Sequence, residues 1–204
     1  MSFDKGAKMR VSTREGDALI VVDMQNDFMP GGALPVPGAD TIVPIVNRYI
    51  ERFEARSLPI FFTRDWHPEN HISFRKNGGV WPEHCIRQTE GAGFCRGLRI
   101  PADNRFVVSK GVSEDFDAYS GFQGTPLKGL LQERGITRLF ICGVATDYCV
   151  KHTLLGAENL GFRTLLLEDA VKGVDLHPGD SKSACREMMR RGAVLCRFEE
   201  VFDR

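Results

Sequence analysis

The chain has 204 residues, of which 42% are hydrophobic and 26% charged, and its 27 basic and 27 acidic side chains leave a formal net charge of zero. That is the size and balance of one globular domain, with no basic footprint for nucleic acid. No apolar run reaches membrane-spanning length, and the first ten residues lack the apolar stretch of a secretory signal, so a cytoplasmic protein without membrane or nucleic-acid partners is expected.

Short apolar runs alternate with segments of helical period. The first strand is expected over 18–22, and residues 40–56 carry Ile42, Val43, Ile45, Val46, Ile50 and Phe53 at helical spacing. Strands follow over 59–63 and 106–109. A helix over 126–134 has Pro126 in its first turn and Gly135 as its stop. The fourth strand is expected over 139–143, then a helix over 146–160 with Thr146 as N-cap. Residues 163–167 form the fifth strand, 179–191 a helix and 193–196 the sixth. This alternation predicts an α/β fold, a six-stranded parallel sheet with helices on both faces. Residues 16–204 make a single domain, preceded by an N-terminal extension over 1–15 that is expected to fray. The stretch 65–103 breaks the pattern. It is long and aperiodic, yet it holds two tryptophans and three histidines, which points to a functional loop.

Ligands of open α/β sheets bind outside the carboxyl ends of the strands. Asp23, Asp65 with Trp66 and His67, Lys110, Cys149 and Asp169 all stand just after a predicted strand. Cys149 lies in the first turn of its predicted helix, where the helix dipole favours the thiolate and unpaired N–H groups face an incoming electrophile. Read singly, each residue has an ordinary alternative: a buried small cysteine, a turn-forming aspartate, a solvated lysine. Together they make a nucleophile, a base and a cation on one rim. Asp65 and His67, two apart in an extended chain, share a side, and His71 and His84 follow, a donor set suited to Zn, Fe or Mn. Phe28, Trp81 and Tyr119 are loop aromatics able to wall a flat ring. The six cysteines show no paired spacing, and free thiols in a reducing compartment are expected.

The segments Asp23-Met24-Gln25-Asn26-Asp27-Phe28, Asp65-Trp66-His67-Pro68, Trp81-Pro82-Glu83-His84-Cys85, Lys110-Gly111, Tyr119-Ser120-Gly121-Phe122 and 143–150, from Gly143 to Val150, occur in this order. Together they resemble the nicotinamidase (pyrazinamidase) branch of the isochorismatase-like cysteine hydrolases. The resemblance runs from about residue 18 to the C-terminus and implies the fold of that family. It implies a triad of Asp23, Lys110 and Cys149, and an oxyanion hole of the Ala145 and Cys149 backbone N–H groups. It implies one divalent metal ion on Asp65, His67 and His84, with His71 as a further ligand in some members. Phe28, Trp81 and Tyr119 match pocket positions, and the 144–145 peptide bond is expected to be cis. The implied reaction is hydrolysis of nicotinamide to nicotinate and ammonia through a Cys thioester, in NAD salvage, with pyrazinamide as a second substrate. Another small-amide hydrolase of the superfamily, such as an N-carbamoyl hydrolase, and a non-catalytic binding protein on the same fold are the alternatives.

Overall fold

The computed structural model describes residues 10–203. Its centre is a six-stranded, wholly parallel sheet in the order β4-β3-β2-β5-β6-β7. The strands are β2 (Asp17–Val22), β3 (Ile60–Asp65), β4 (Arg105–Lys110), β5 (Arg138–Val144), β6 (Arg163–Lys172) and β7 (Val194–Cys196). All six predicted strands are present. β2 is buried on both faces along its whole length: Leu19 and Val21 point into one apolar cluster, and Ala18, Ile20 and Val22 into the other. That is why its sequence reads as an unbroken apolar run.

Helices cover both faces. Helix α1 (Val43–Ala55) buries Val46, Tyr49, Ile50 and Phe53, one stripe at helical spacing. Ile50 and Phe53 are fully buried, each contributing about 1.5–3 kcal/mol. Its first predicted turn is instead a 3-10 turn, Ala39–Ile42. Helices α2 (Leu127–Gln132), α3 (Lys151–Asn159) and α4 (Asp180–Arg191) complete the layers. Connections from β2 run outward through β3 to β4, whereas β5 lies on the opposite side of β2. The order therefore reverses beside β2, and the crevice at such a switch point is where α/β sheets bind ligands.

Three expectations change. The segment after β5 opens with a π turn, Thr146–Val150, before α3 begins, and its N-cap is Ala145, not Thr146. Within the N-terminal extension, Val11–Thr13 forms β1, which pairs in parallel with β8 (Val201–Asp203). That part is therefore tied down and does not fray, while residues 1–9 lie outside the described residues. Finally, β6 runs five residues past its predicted end. Its pairing with β5 shifts between Ile141 and Gly143, and Asp169 falls inside the strand. There Asp169 accepts hydrogen bonds from the Tyr49 hydroxyl (2.9 Å) and the Phe198 N–H (2.9 Å). It is a structural acceptor and does not join the rim.

Candidate active site

At the carboxyl end of β2 the chain turns away from the sheet, Asp23 adopting φ +49°. Its N–H still donates to Thr63 O (3.2 Å) on β3, and the Thr63 hydroxyl donates to Asp23 Oδ1 (2.6 Å). Asp65 and Lys110 end β3 and β4 and face each other in register. Lys110 is buried to 1% exposure, the opposite of a surface lysine. Its ammonium has three hydrogens, and three acceptors take them: Asp65 Oδ1, Ala118 O (3.2 Å) and Cys149 Sγ (3.4 Å). Asp23 Oδ2 lies 2.9 Å from the same nitrogen as an ion pair. This oxygen is the one buried side-chain nitrogen or oxygen among the described residues without a hydrogen-bond partner.

Burial and charge pull against each other here. Burial would lower the Lys110 pKa, but Asp23, Asp65 and Cys149 outweigh it and hold the ammonium protonated. Burial pushes Asp65 up, but Lys110, His67 and His84 together hold it below its ordinary value. Asp23 ends above its ordinary value, because its own burial and the neighbouring Asp65 prevail over Lys110. Cys149 is pushed well up by burial, with Lys110 opposing and Asp23 and Asp65 adding. The sequence suggested that a helix dipole would favour the thiolate. The structure places the sulfur in a buried π turn, where the resting form is the thiol and a base is needed. One carboxylate oxygen each of Asp23 and Asp65 and the Cys149 Sγ lie within 4.8 Å of one another. The Val144–Ala145 bond is cis, and the Ala145 carbonyl accepts from the N–H groups of Tyr148 and Val150, on either side of Cys149.

Asp65, His67 and His84 bring ligand atoms within 4.8 Å of one another, all buried. The Nδ1–H of His67 donates to Gly111 O (2.9 Å), and that of His84 to Pro82 O (2.8 Å). Each ring thus keeps Nε2 as its lone-pair donor, with the other nitrogen oriented by a carbonyl, as metal-bound histidines are. Burial lowers His67 to about 4, with Asp65 opposing and His84 and His71 adding, so the ring is neutral at pH 7. Two imidazole nitrogens and a carboxylate fit a divalent ion. His71 stacks on His67 at 4.0 Å but is not one of the three. Its Nδ1 accepts from Ser73 Oγ (2.7 Å) and its Nε2–H donates to Phe116 O (3.1 Å). Gly111 permits this packing: a Cβ there would lie 2.4 Å from His67 Cε1.

Cys149, Asp65, His67 and His84 line one cavity together with the side chains of Trp81, Tyr119, Tyr148, Leu34 and Val174. Trp81 Nε1–H donates to the Tyr119 hydroxyl (2.8 Å), which ties two of the predicted aromatics together. The third, Phe28, is buried and is not among the residues lining this cavity; its ring lies 5.8 Å from that of His84. Sequence reading had not singled out Gln25, Thr63 or Tyr148. Gln25 and Thr63 act through side-chain hydrogen bonds to Asp65 and Asp23, contacts across about 40 residues of sequence that no spacing rule reveals. Tyr148 was detectable as one more aromatic beside the cysteine.

The chain matches the model of the isochorismatase domain over residues 17–200. It is 39% identical over 199 residues to the nicotinamidase of Escherichia coli (strain K12), covering 87% of this chain and 93% of that protein. The zinc complex of the pyrazinamidase of Pyrococcus horikoshii superposes with a TM-score of 0.86 at 52% identity, covering 90% of this chain and 99% of that one. PnC1 from L. infantum in complex with nicotinate gives 0.85 at 35% identity, covering 96% and 100%.

Proposed function

The chain belongs to the isochorismatase family, in its nicotinamidase branch, and on that premise we propose that it hydrolyses nicotinamide to nicotinate and ammonia. One observation carries the chemistry. Cys149 Sγ is 3.4 Å from a lysine whose neighbour, Asp23, holds a buried oxygen with no hydrogen bond. Asp23 Oδ2 takes the Cys149 proton, and Lys110 stabilises the thiolate. Sulfur then bonds to the carboxamide carbon, and the carbonyl electron pair moves to oxygen, facing the Ala145 and Cys149 N–H groups. As the C–N bond breaks, Asp23 returns the proton to nitrogen and ammonia leaves. Asp23 next takes a proton from water, whose oxygen displaces sulfur from the thioester; Asp23 passes that proton to the leaving sulfur, restoring the thiol, and the product acid loses its own proton to solvent as nicotinate.

Asp65, His67 and His84 would hold one divalent ion, Zn, Fe or Mn, whose positive charge is available to the lone pair of the pyridine nitrogen. Trp81 and Tyr119, with Tyr148, confine the flat ring beside the sulfur. Pyrazinamide, with a second ring nitrogen in place of a C–H, fits the same walls and is a further substrate. Six free cysteines, five of them buried, suit a reducing compartment, and we place the reaction in the cytoplasm, returning nicotinamide toward NAD.

The test is ammonia release from nicotinamide by purified protein, before and after chelation and with Zn, Fe or Mn restored. Release that falls on chelation and returns with metal is expected. Release only from other small amides would move the assignment to a different hydrolase of the family, and no release from any amide would leave a binding protein.

A further inference from the structure

Backbone β2 stops pairing with β3 before β3 ends. The ladder runs through Leu19↔Ile60, Ile20↔Phe61 and Val21↔Phe62. After the Asp23 N–H has bonded Thr63 O, the left-handed turn at Asp23 carries the chain away, and the Gln25 N–H is spent on Asp23 O (2.8 Å). Asp65 is left at the end of β3 with no β2 backbone beside it. The side chain of Gln25 fills the gap. Its Oε1 accepts from the Asp65 N–H (2.7 Å), and its Nε2 donates to Asp65 O (2.8 Å) and Ala92 O (2.9 Å). Both amide hydrogens and the amide oxygen are used, and the residue is fully buried.

We propose that Gln25 is a positioning residue for the metal site: its amide replaces a missing rung of the sheet and fixes the Asp65 backbone. The Asp65 carboxylate is thereby held between Lys110 and His67. On the other flank Asp65 has its register partner Lys110, whose carbonyl accepts from Trp66 N–H (3.0 Å). Gln25 is therefore what fixes the β2 side. The third bond, to Ala92 O, ties the 65–103 loop to the same point. Second-sphere partners of metal ligands typically change affinity 10–100-fold, and a partner that holds both polar groups of the ligand's backbone belongs in that range. The inference rests on the metal reading above.

The experiment is competition for Zn²⁺ between the protein and a chromophoric chelator, run on wild type, Gln25→Met and Gln25→Glu, with urea unfolding of each metal-free form alongside. Methionine keeps the length and removes all three bonds. Glutamate keeps the acceptor for Asp65 N–H but sets an oxygen against the Asp65 and Ala92 carbonyls. Both variants are expected to bind Zn²⁺ about 10–100-fold more weakly while folded. A Gln25 with a purely structural role would lower the urea midpoint and leave the Zn²⁺ affinity of the folded protein unchanged, which would overturn the proposal. If Gln25→Met does not fold, Gln25→Glu decides by the same criterion. Wild type that binds Zn²⁺ but leaves nicotinamide intact would refute the substrate and not the role of Gln25. Wild type that binds no Zn²⁺ would refute the metal assignment and this inference with it.

Discussion

Replacing Lys110 with methionine separates the charge from the shape of the buried site. Methionine fills much of the same volume, but Asp65 loses its ammonium donor and Asp23 its ion pair. Breaking a buried pair by removing one partner costs about 3–5 kcal/mol, and two carboxylates share this lysine, which places the loss at the upper end. With an m-value of about 3 kcal/mol/M in urea, a loss of about 5 kcal/mol lowers the midpoint by about 1.7 M. The pH dependence gives a sharper check. Without Lys110, burial raises both carboxyls in the folded state above the unfolded value of about 3.9. The folded variant then binds more protons than the unfolded chain, so its stability falls as pH rises above that value. The deficit relative to wild type should be largest near pH 8 and shrink toward pH 5. The assay is urea unfolding of the metal-free proteins, followed by tryptophan fluorescence and circular dichroism at both pH values. An unchanged midpoint at pH 8, or a deficit that grows on acidification, would refute the reading of Lys110 as the charge that compensates Asp23 and Asp65.

Cys149→Ala should abolish ammonia release and leave the unfolding curve close to wild type, since one sulfur atom is removed from a buried turn; residual turnover at wild-type rate would exclude Cys149 as the nucleophile. Gly111→Ala puts a Cβ against His67 Cε1 at 2.4 Å and a side chain on a residue of φ +59°. The left-handed backbone alone costs about 1–3 kcal/mol, and the displaced imidazole should leave the purified protein depleted in metal by elemental analysis. Full metal content would show that the His67 ring can move without losing its role. Trp81→Phe removes the N–H that holds the Tyr119 hydroxyl, worth about 0.5–1.5 kcal/mol. We expect KM for nicotinamide to rise a few-fold with kcat nearly unchanged, and a fall in kcat alone would place Trp81 in the chemistry instead of the wall.

The six strands and the places of Asp23, Asp65, Lys110 and Cys149 after them were legible because buried parallel strands are short apolar runs, and polar residues that interrupt them fall at their ends; the order of the strands in the sheet was not. Asp169 shows where that rule fails. A run such as Leu165-Leu166-Leu167 marks where burial is complete, but hydrogen bonding continues to Lys172. Irregular pairing around Gly143 lets β6 carry polar residues inside the strand. The π turn at Thr146–Val150 was equally hidden, since helical period does not distinguish five residues of π geometry from the start of an α-helix. His71 matched the expected donor set in type and proximity. Only the positions of Ser73 Oγ and Phe116 O show that both of its ring nitrogens are already engaged.

Register is the device that converts this sheet into a site. Asp65 and Lys110 share a face only because β3 and β4 pair Asp65↔Lys110 and not one residue away; a slip by one would turn Lys110 to the opposite face and empty the centre of its cation. β4 is an edge strand, the position where slippage is least opposed by neighbours. Side chains on both faces oppose it here. Phe61 and Phe106, two pairs of residues back on the face that carries Asp65 and Lys110, stack at 4.8 Å. On the other face Arg64 Nε–H donates to Ser109 Oγ (2.9 Å). Cross-strand pairs of these kinds each contribute about 0.2–1 kcal/mol, little for overall stability. Their consequence lies in alignment: they fix the one pairing in which a buried lysine meets Asp65, Asp23 and Cys149 at once.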